Sequence, residues 1–150
     1  MPIRVGQYDT GGITCGVAVS GNHAYPATNF GLDVVDISNP INPTRVGVCD
    51  TVGFTLGVAV SGTHAYVASD VAALEVIDIS DPSPQRVGAY GTGTYGSVVA
   101  VSGGHAYVAD GVMGLLVPTS LSPSHIFLVG RSGRLLWSTR MERHARGMRR

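Results

Sequence analysis

Three histidines stand 41 residues apart, His23, His64 and His105, and each opens a His-Ala-Tyr triplet, so Tyr25, Tyr66 and Tyr107 keep the same step. Asp36 and Asp78, each followed by Ile-Ser, lie 42 apart. Serine, histidine and aspartate together invite a hydrolytic triad. The repetition argues against one. A triad needs unlike groups converging at one place, whereas these are single positions recurring from unit to unit. The eight residues are therefore read as structural repeat positions, and no catalytic residue is assigned. As metal ligands the histidines would have to converge across units, which their spacing does not supply. The Asp36 and Asp78 carboxylates suit a local task, accepting backbone N–H groups of the turn that follows. One carboxylate per turn falls short of the about six to eight oxygens calcium takes. No metal and no cofactor is expected.

The remaining chemical candidates are weaker. Cys15 and Cys49 occupy non-equivalent repeat positions and read as small buried fillers, with no disulfide and no metal spacing. Gly91-Thr92-Gly93-Thr94-Tyr95-Gly96 has the GxGxxG form, but no helical pattern follows it, so the dinucleotide reading fails on context. It reads as a glycine-rich connection between units. Asp33, Glu75, Asp70 and Asp110 read as solvated charges.

What positions these residues is a repeat. Arg4-Val5-Gly6 recurs as Arg45-Val46-Gly47 and Arg86-Val87-Gly88. Gly16-Val17-Ala18-Val19-Ser20-Gly21 recurs 41 residues on from Gly57, and again, with Val98 in the first place, to Gly103. A fixed period of this size signals stacked or ringed supersecondary units. Each unit holds four short runs rich in Val, Ile and Tyr, which suit a pleated surface. In the second unit they are 57–61, 64–69, 74–79 and 86–90. Ser61-Gly62-Thr63 reads as a tight hairpin turn, because glycine tolerates positive φ. Asp81-Pro82-Ser83-Pro84 cannot continue a central strand, since proline lacks the N–H. Four strands in about 40 residues make a β-propeller blade; a solenoid is the competing architecture, with fewer strands per unit.

The segments Leu32-Asp33-Val34-Val35-Asp36 and Leu74-Glu75-Val76-Ile77-Asp78, each followed by Ile-Ser-x-Pro, resemble the LVIVD repeat. The flanking VGxY, GVAVSG and AYVA elements fit as well. The resemblance spans Ile3 to Val117 and implies a β-propeller, commonly from bacterial or archaeal surface or secreted proteins, with no shared catalytic activity. The expected fold is all-β: a partial propeller of three four-stranded blades at 4–44, 45–85 and 86–117, followed by an irregular or disordered Arg-rich tail, 118–150.

Composition agrees. Of 150 residues 44% are hydrophobic and 13% charged, which excludes intrinsic disorder of the whole chain. No apolar run reaches the about 18 residues of a membrane span. The zero net charge hides an asymmetry: up to Gly130 there are three Arg and nine acids, and from Arg131 seven Arg and one acid. Such a shift marks a boundary. The basic tail could form a nucleic-acid arm, but Trp137 alone offers little base stacking, so disorder or a short helix over 141–148 is preferred and no nucleic acid is expected. Where the third copy should read Ile-Asp-Ile-Ser-Asp-Pro it reads Pro118-Thr119-Ser120-Leu121-Ser122-Pro123. Synonymous codons exist that encode this stretch and give Asp-Ile-Ser-Glu-Pro one base out of register, so a frameshift would account for the break and the tail together; an ordinary divergent C-terminal segment is the alternative.

Three blades do not close a ring, because propellers have about four to eight. The chain opens on an outer-type strand, Ile3–Tyr8, and the third unit lacks one, so two chains exchanging strands would build a six-bladed ring. The leading function is a non-catalytic binding or scaffold module for a protein or polysaccharide at a cell surface. The competing ones are a propeller enzyme of the lactonase or quinoprotein kind, with its site in the central channel, and a truncated piece of a longer propeller. Met1 to Gly6 enters the repeat at once, leaving no room for a signal peptide, so the compartment stays unassigned.

Overall fold

The computed structural model describes residues 1–91 and 95–118, and the backbone of 128–129 and 135–136. Blade 1 is the antiparallel sheet β1 (Thr14–Ser20), β2 (His23–Thr28), β3 (Gly31–Asp36) and β4 (Thr44–Asp50) in chain order. Blade 2 repeats it with β5 (Thr55–Ser61), β6 (His64–Ser69), β7 (Ala73–Asp78) and β8 (Gln85–Tyr90). Blade 3 has β9 (Gly96–Ser102), β10 (His105–Asp110) and, after a 3-10 turn over Gly111–Met113, β11 (Gly114–Leu116). The last two described pieces, β12 (Leu128–Val129) and β13 (Leu135–Leu136), pair with each other. The expectations for the tail, its helix over 141–148 and its frameshifted opening lie outside the described residues.

The turns form for the reasons their residues give. Gly21 and Gly62 open the hairpins between the first two strands of blades 1 and 2, with φ of +55° and +58°. The following pairs, Ser20 with His23 and Ser61 with His64, carry the same register in both blades. The Pro-containing loops lie between the third and fourth strands, where no ladder hydrogen bond is lost.

Blades stack face to face, with the first strands of successive blades closest. A Cβ on Gly16 would lie 3.3 Å from the Cα of Gly57, and one on Gly57 would lie 2.9 Å from the carbonyl oxygen of Ser97. The repeated glycine of GVAVSG is therefore the residue that lets one inner strand approach the next. The core sits in the two joints. Between blades 1 and 2 it gathers Tyr25, Leu32, Val34, Cys49, Ala65, Val67 and Ile77. Between blades 2 and 3 it gathers Tyr66, Ala68, Leu74, Val76, Val99, Ala106 and Val108. Along β6, alternate residues thus serve opposite joints, Ala65 and Val67 facing back, Tyr66 and Ala68 facing forward.

Two expectations change. Residues 3–8 form no strand and pair with none of the described sheets. Asp33, Glu75 and Asp110 are buried, not solvated. β7 lies in the middle blade and has no solvent face, and Asp33 of blade 1 is covered by the N-terminal segment through Tyr8, so each acid must be neutralised locally. Arg86 Nη1 donates to Glu75 Oε2 at 2.9 Å, and the backbone N–H of Val52 donates to Oε1 at 3.0 Å. At the equivalent place in blade 1, the Tyr8 hydroxyl donates to Asp33 at 2.9 Å and Arg45 stands 3.9 Å away. Burial and the bond to Asp33 push the Tyr8 hydroxyl pKa up. The bond to Glu75 raises that of Arg86.

Candidate functional site

The repeated residues that first suggested chemistry lie apart from one another, one set per blade. His23 faces Asp36 across β2 and β3, and His64 faces Asp78 across β6 and β7. Each aspartate closes its turn: the Ser38 N–H donates to Asp36 at 2.8 Å, and the Ser80 N–H to Asp78 at 2.9 Å. Bonds from Ser38 and Ser80 hold both carboxyls below the ordinary range. The side chains of Ser20 and Ser61 make no hydrogen bond to the imidazoles of His23 and His64; His64 instead exchanges one with Thr63, at 3.1 Å. Tyr25 and Tyr66 are joint residues whose burial raises their pKa, whereas Tyr107 is partly open to solvent. Among the described residues no three His, Cys, Asp or Glu side chains gather as metal ligands. Cys49 is buried and its thiol pKa is raised by that burial, but Cys15 is exposed, at the place where the β1–β2 register shifts. Gly96, the last residue of the GxGxxG run, opens a strand, β9.

A different set of residues stands out at the opposite end of the blades, where the turns between second and third strands meet the connections between blades. The connections carry Ile13, Phe54 and Tyr95, each 41 residues from the last, and the turns carry Phe30, Val71 and Val112 at the same step. All six are exposed large hydrophobic side chains. Loop and turn are clipped together in blades 1 and 2. The Ile13 N–H donates to the Asn29 side chain and the Phe54 N–H to the Asp70 side chain, both at 2.8 Å. The Asn29 and Asp70 N–H groups return the bond to Ile13 and Phe54 carbonyls, at 3.0 and 3.1 Å. The hydrophobic side chains are thus held outward by a fixed backbone. Phe30 and Phe54 flank an open cleft of about 370 Å³ floored by Asn29, Asp50, Thr51 and Gly53. Asp50 is the one charged residue in the lining of this cleft.

This face was not singled out from the sequence. Its signal was available as large apolar residues recurring at 41 in turn positions, where singly scattered ones need no explanation.

The LVIVD repeat profile matches three consecutive stretches, 11–51, 52–92 and 93–131. The chain belongs to the LVIVD repeat family. The second family unit contains all of blade 2, and each unit opens on the connection that carries Ile13, Phe54 or Tyr95. No curated protein matches the chain. Among solved structures, the computationally designed Ika8 protein is similar over 67% of this chain and 31% of its own, at 12% identity and a TM-score of 0.57. The likeness is one of fold, and this LVIVD repeat chain spans about a third of that protein. The designed Ika4 protein aligns over 78% of this chain and 98% of its own at 11% identity, with a TM-score of 0.47.

Proposed function

We propose that this LVIVD repeat chain is a non-catalytic binding module, and that the end carrying Ile13, Phe30, Phe54, Val71, Tyr95 and Val112 is its contact face. The observation that carries this reading is the repetition of exposed apolar side chains on one end of successive blades. An apolar row rimmed by polar groups is the usual form of a protein contact surface. Asp50 in the cleft and Asp70 behind Phe54 fit a protein segment that is itself apolar and basic. A surface or secreted setting belongs to the same proposal and draws its support from the family resemblance alone.

A second reading, a polysaccharide ligand, is favoured by one feature: the two phenyl rings flanking a cleft with Asp50 and Thr51 at its floor. Sugars present apolar faces to aromatic rings and hydroxyls to such polar groups. Against an enzyme stands the arrangement of the candidate groups, which recur blade by blade instead of converging.

Binding arrays decide among these. Peptides mixing aliphatic and basic residues should be retained, with affinity falling at higher salt. The double variant Phe30→Ser, Phe54→Ser should bind them about tenfold more weakly, with an unchanged melting temperature. Retention of glycans alone would select the polysaccharide reading. No retention of either, or retention unaffected by the double variant, would remove this face from consideration.

A further inference from the structure

Two parts of the molecule have complementary gaps. In blades 1 and 2 the third strand has a fourth beside it, with Leu32 opposite Cys49 and Val34 opposite Gly47, and Leu74 opposite Tyr90 and Val76 opposite Gly88. In blade 3 the equivalent strand, β11, is an edge strand among the described residues. Residues 3–8 have the converse property. They carry the Arg-Val-Gly signature of a fourth strand and belong to none of the described sheets. They nevertheless lie against blade 1 as β4 lies against blade 2. A Cβ on Gly6 would run into the carbonyl oxygen of Pro40, and one on Gly47 into that of Pro82. Tyr8 reaches Asp33, as the connection after β4 reaches Glu75 through the Val52 N–H.

The faces match as well. Val98, Tyr107 and Leu115 lie on the uncovered side of blade 3, at the repeat positions of Gly57, Tyr66 and Leu74, which face blade 3 from blade 2. The uncovered side of blade 1 presents Val17 and Val19, at the repeat positions of Val58 and Val60, which face blade 1 from blade 2.

We infer that blade 3 is covered by blade 1 of a second copy of this chain, whose residues 6–8 add to β11 as its fourth strand. The register follows from the other blades: Tyr8 opposite Leu115, Gln7 opposite Leu116 and Gly6 opposite Val117. Pro118, without an N–H, ends the pairing. This is strand addition at an open sheet edge, in which main-chain hydrogen bonds supply the affinity. Made reciprocally, it joins two chains into six blades, a number that propellers close. One feature departs from the internal joints. Val98 stands where Gly16 and Gly57 allow inner strands to touch, so it props the copies apart there and leaves the association to the outer strand.

Sedimentation equilibrium of the 150-residue protein should give a reversible dimer, and Val98→Gly should tighten it about tenfold, the effect of relieving roughly 1.4 kcal/mol of overpacking. In a Cys15→Ser background, Gln7→Cys with Leu116→Cys should yield, on mild oxidation, a band at twice the 15.5 kDa chain mass on a non-reducing gel. Gln7→Cys alone should not yield that band. A monomer at all concentrations, a dimer that fails to crosslink at these positions, or a dimer indifferent to Val98→Gly would each overturn the inference. An internal fourth strand supplied to β11 by the chain's own later residues would show itself as the first of these.

Discussion

The joint between blades 2 and 3 and the uncovered side of blade 3 carry the same repeat positions and differ in what lies against them. Tyr66 is 4% exposed and Tyr107 37%; Leu74 is 2% exposed and Leu115 68%. The residue types are unchanged, so burial here is conferred by the neighbour and not by the strand's own pattern. The one position where the types differ is the inner-strand glycine, which has become Val98. The comparison teaches that a blade is stabilised by its joints. A single four-stranded sheet of this size buries little apolar area alone, and its energy comes from stacking.

The comparison can be broken most directly at its tyrosines. Tyr66→Ala should cost about 3–5 kcal/mol of unfolding free energy, as truncation of buried aromatic side chains does. Tyr107→Ala should stay within about 0.5 kcal/mol at concentrations where the chain is monomeric. Urea denaturation of the two variants side by side would measure this, and equal costs would show that blade 3 is covered on both sides. Next in size is Gly57→Val, which installs in the internal joint the residue that blade 3 has on its open side. Overpacking should cost about 1–3 kcal/mol, or more if the inner strands cannot part. Glu75→Gln should cost roughly 1–3 kcal/mol, because it removes the charged partner of Arg86 inside the fold. Asp33→Asn, with its arginine at 3.9 Å, should cost less. Thermal melts of the pair at equal ionic strength would rank them.

The smallest effect concerns the turns. The Asp36 and Asp78 carboxyls are held below their ordinary range by Ser38 and Ser80, so the folded state favours their charged form. That contribution is fully present above the unfolded carboxylate value of about 4 and is lost as the pH falls through the lower folded value. The double variant Asp36→Asn, Asp78→Asn keeps the turn acceptors but removes the titration, so its stability should fall less steeply below about pH 4 than that of the parent protein. Identical acid limbs would show that these carboxylates do not contribute.

Much of the fold is legible in the residues. A period of 41, four β-prone runs per period and Ser-Gly or Pro-containing turns between them demand small antiparallel sheets of fixed length. The family resemblance rests on the same residues, and the match over 11–131 agrees with it. The candidate face was less legible. Phe30, Val71 and Val112 are hydrophobic residues in turns, and periodicity within a strand is silent about turns. Their exposure becomes visible only when the Asn29 and Asp70 clips are seen to hold them outward.

The sequence by itself determined the repeat, the four β-prone runs of each full unit and the turns between them, because those depend on side-chain type and turn chemistry, which are local; whether residues 3–8 become a strand depends on a sheet edge to pair with. The tertiary structure decided which faces of those strands are wet. Asp33 and Glu75 alternate with apolar residues as they would on a half-exposed sheet, yet both are enclosed. Whether an alternating strand has one dry face or two depends on what folds against it from elsewhere in the chain, the connection after β4 for Glu75 and the segment ending at Tyr8 for Asp33.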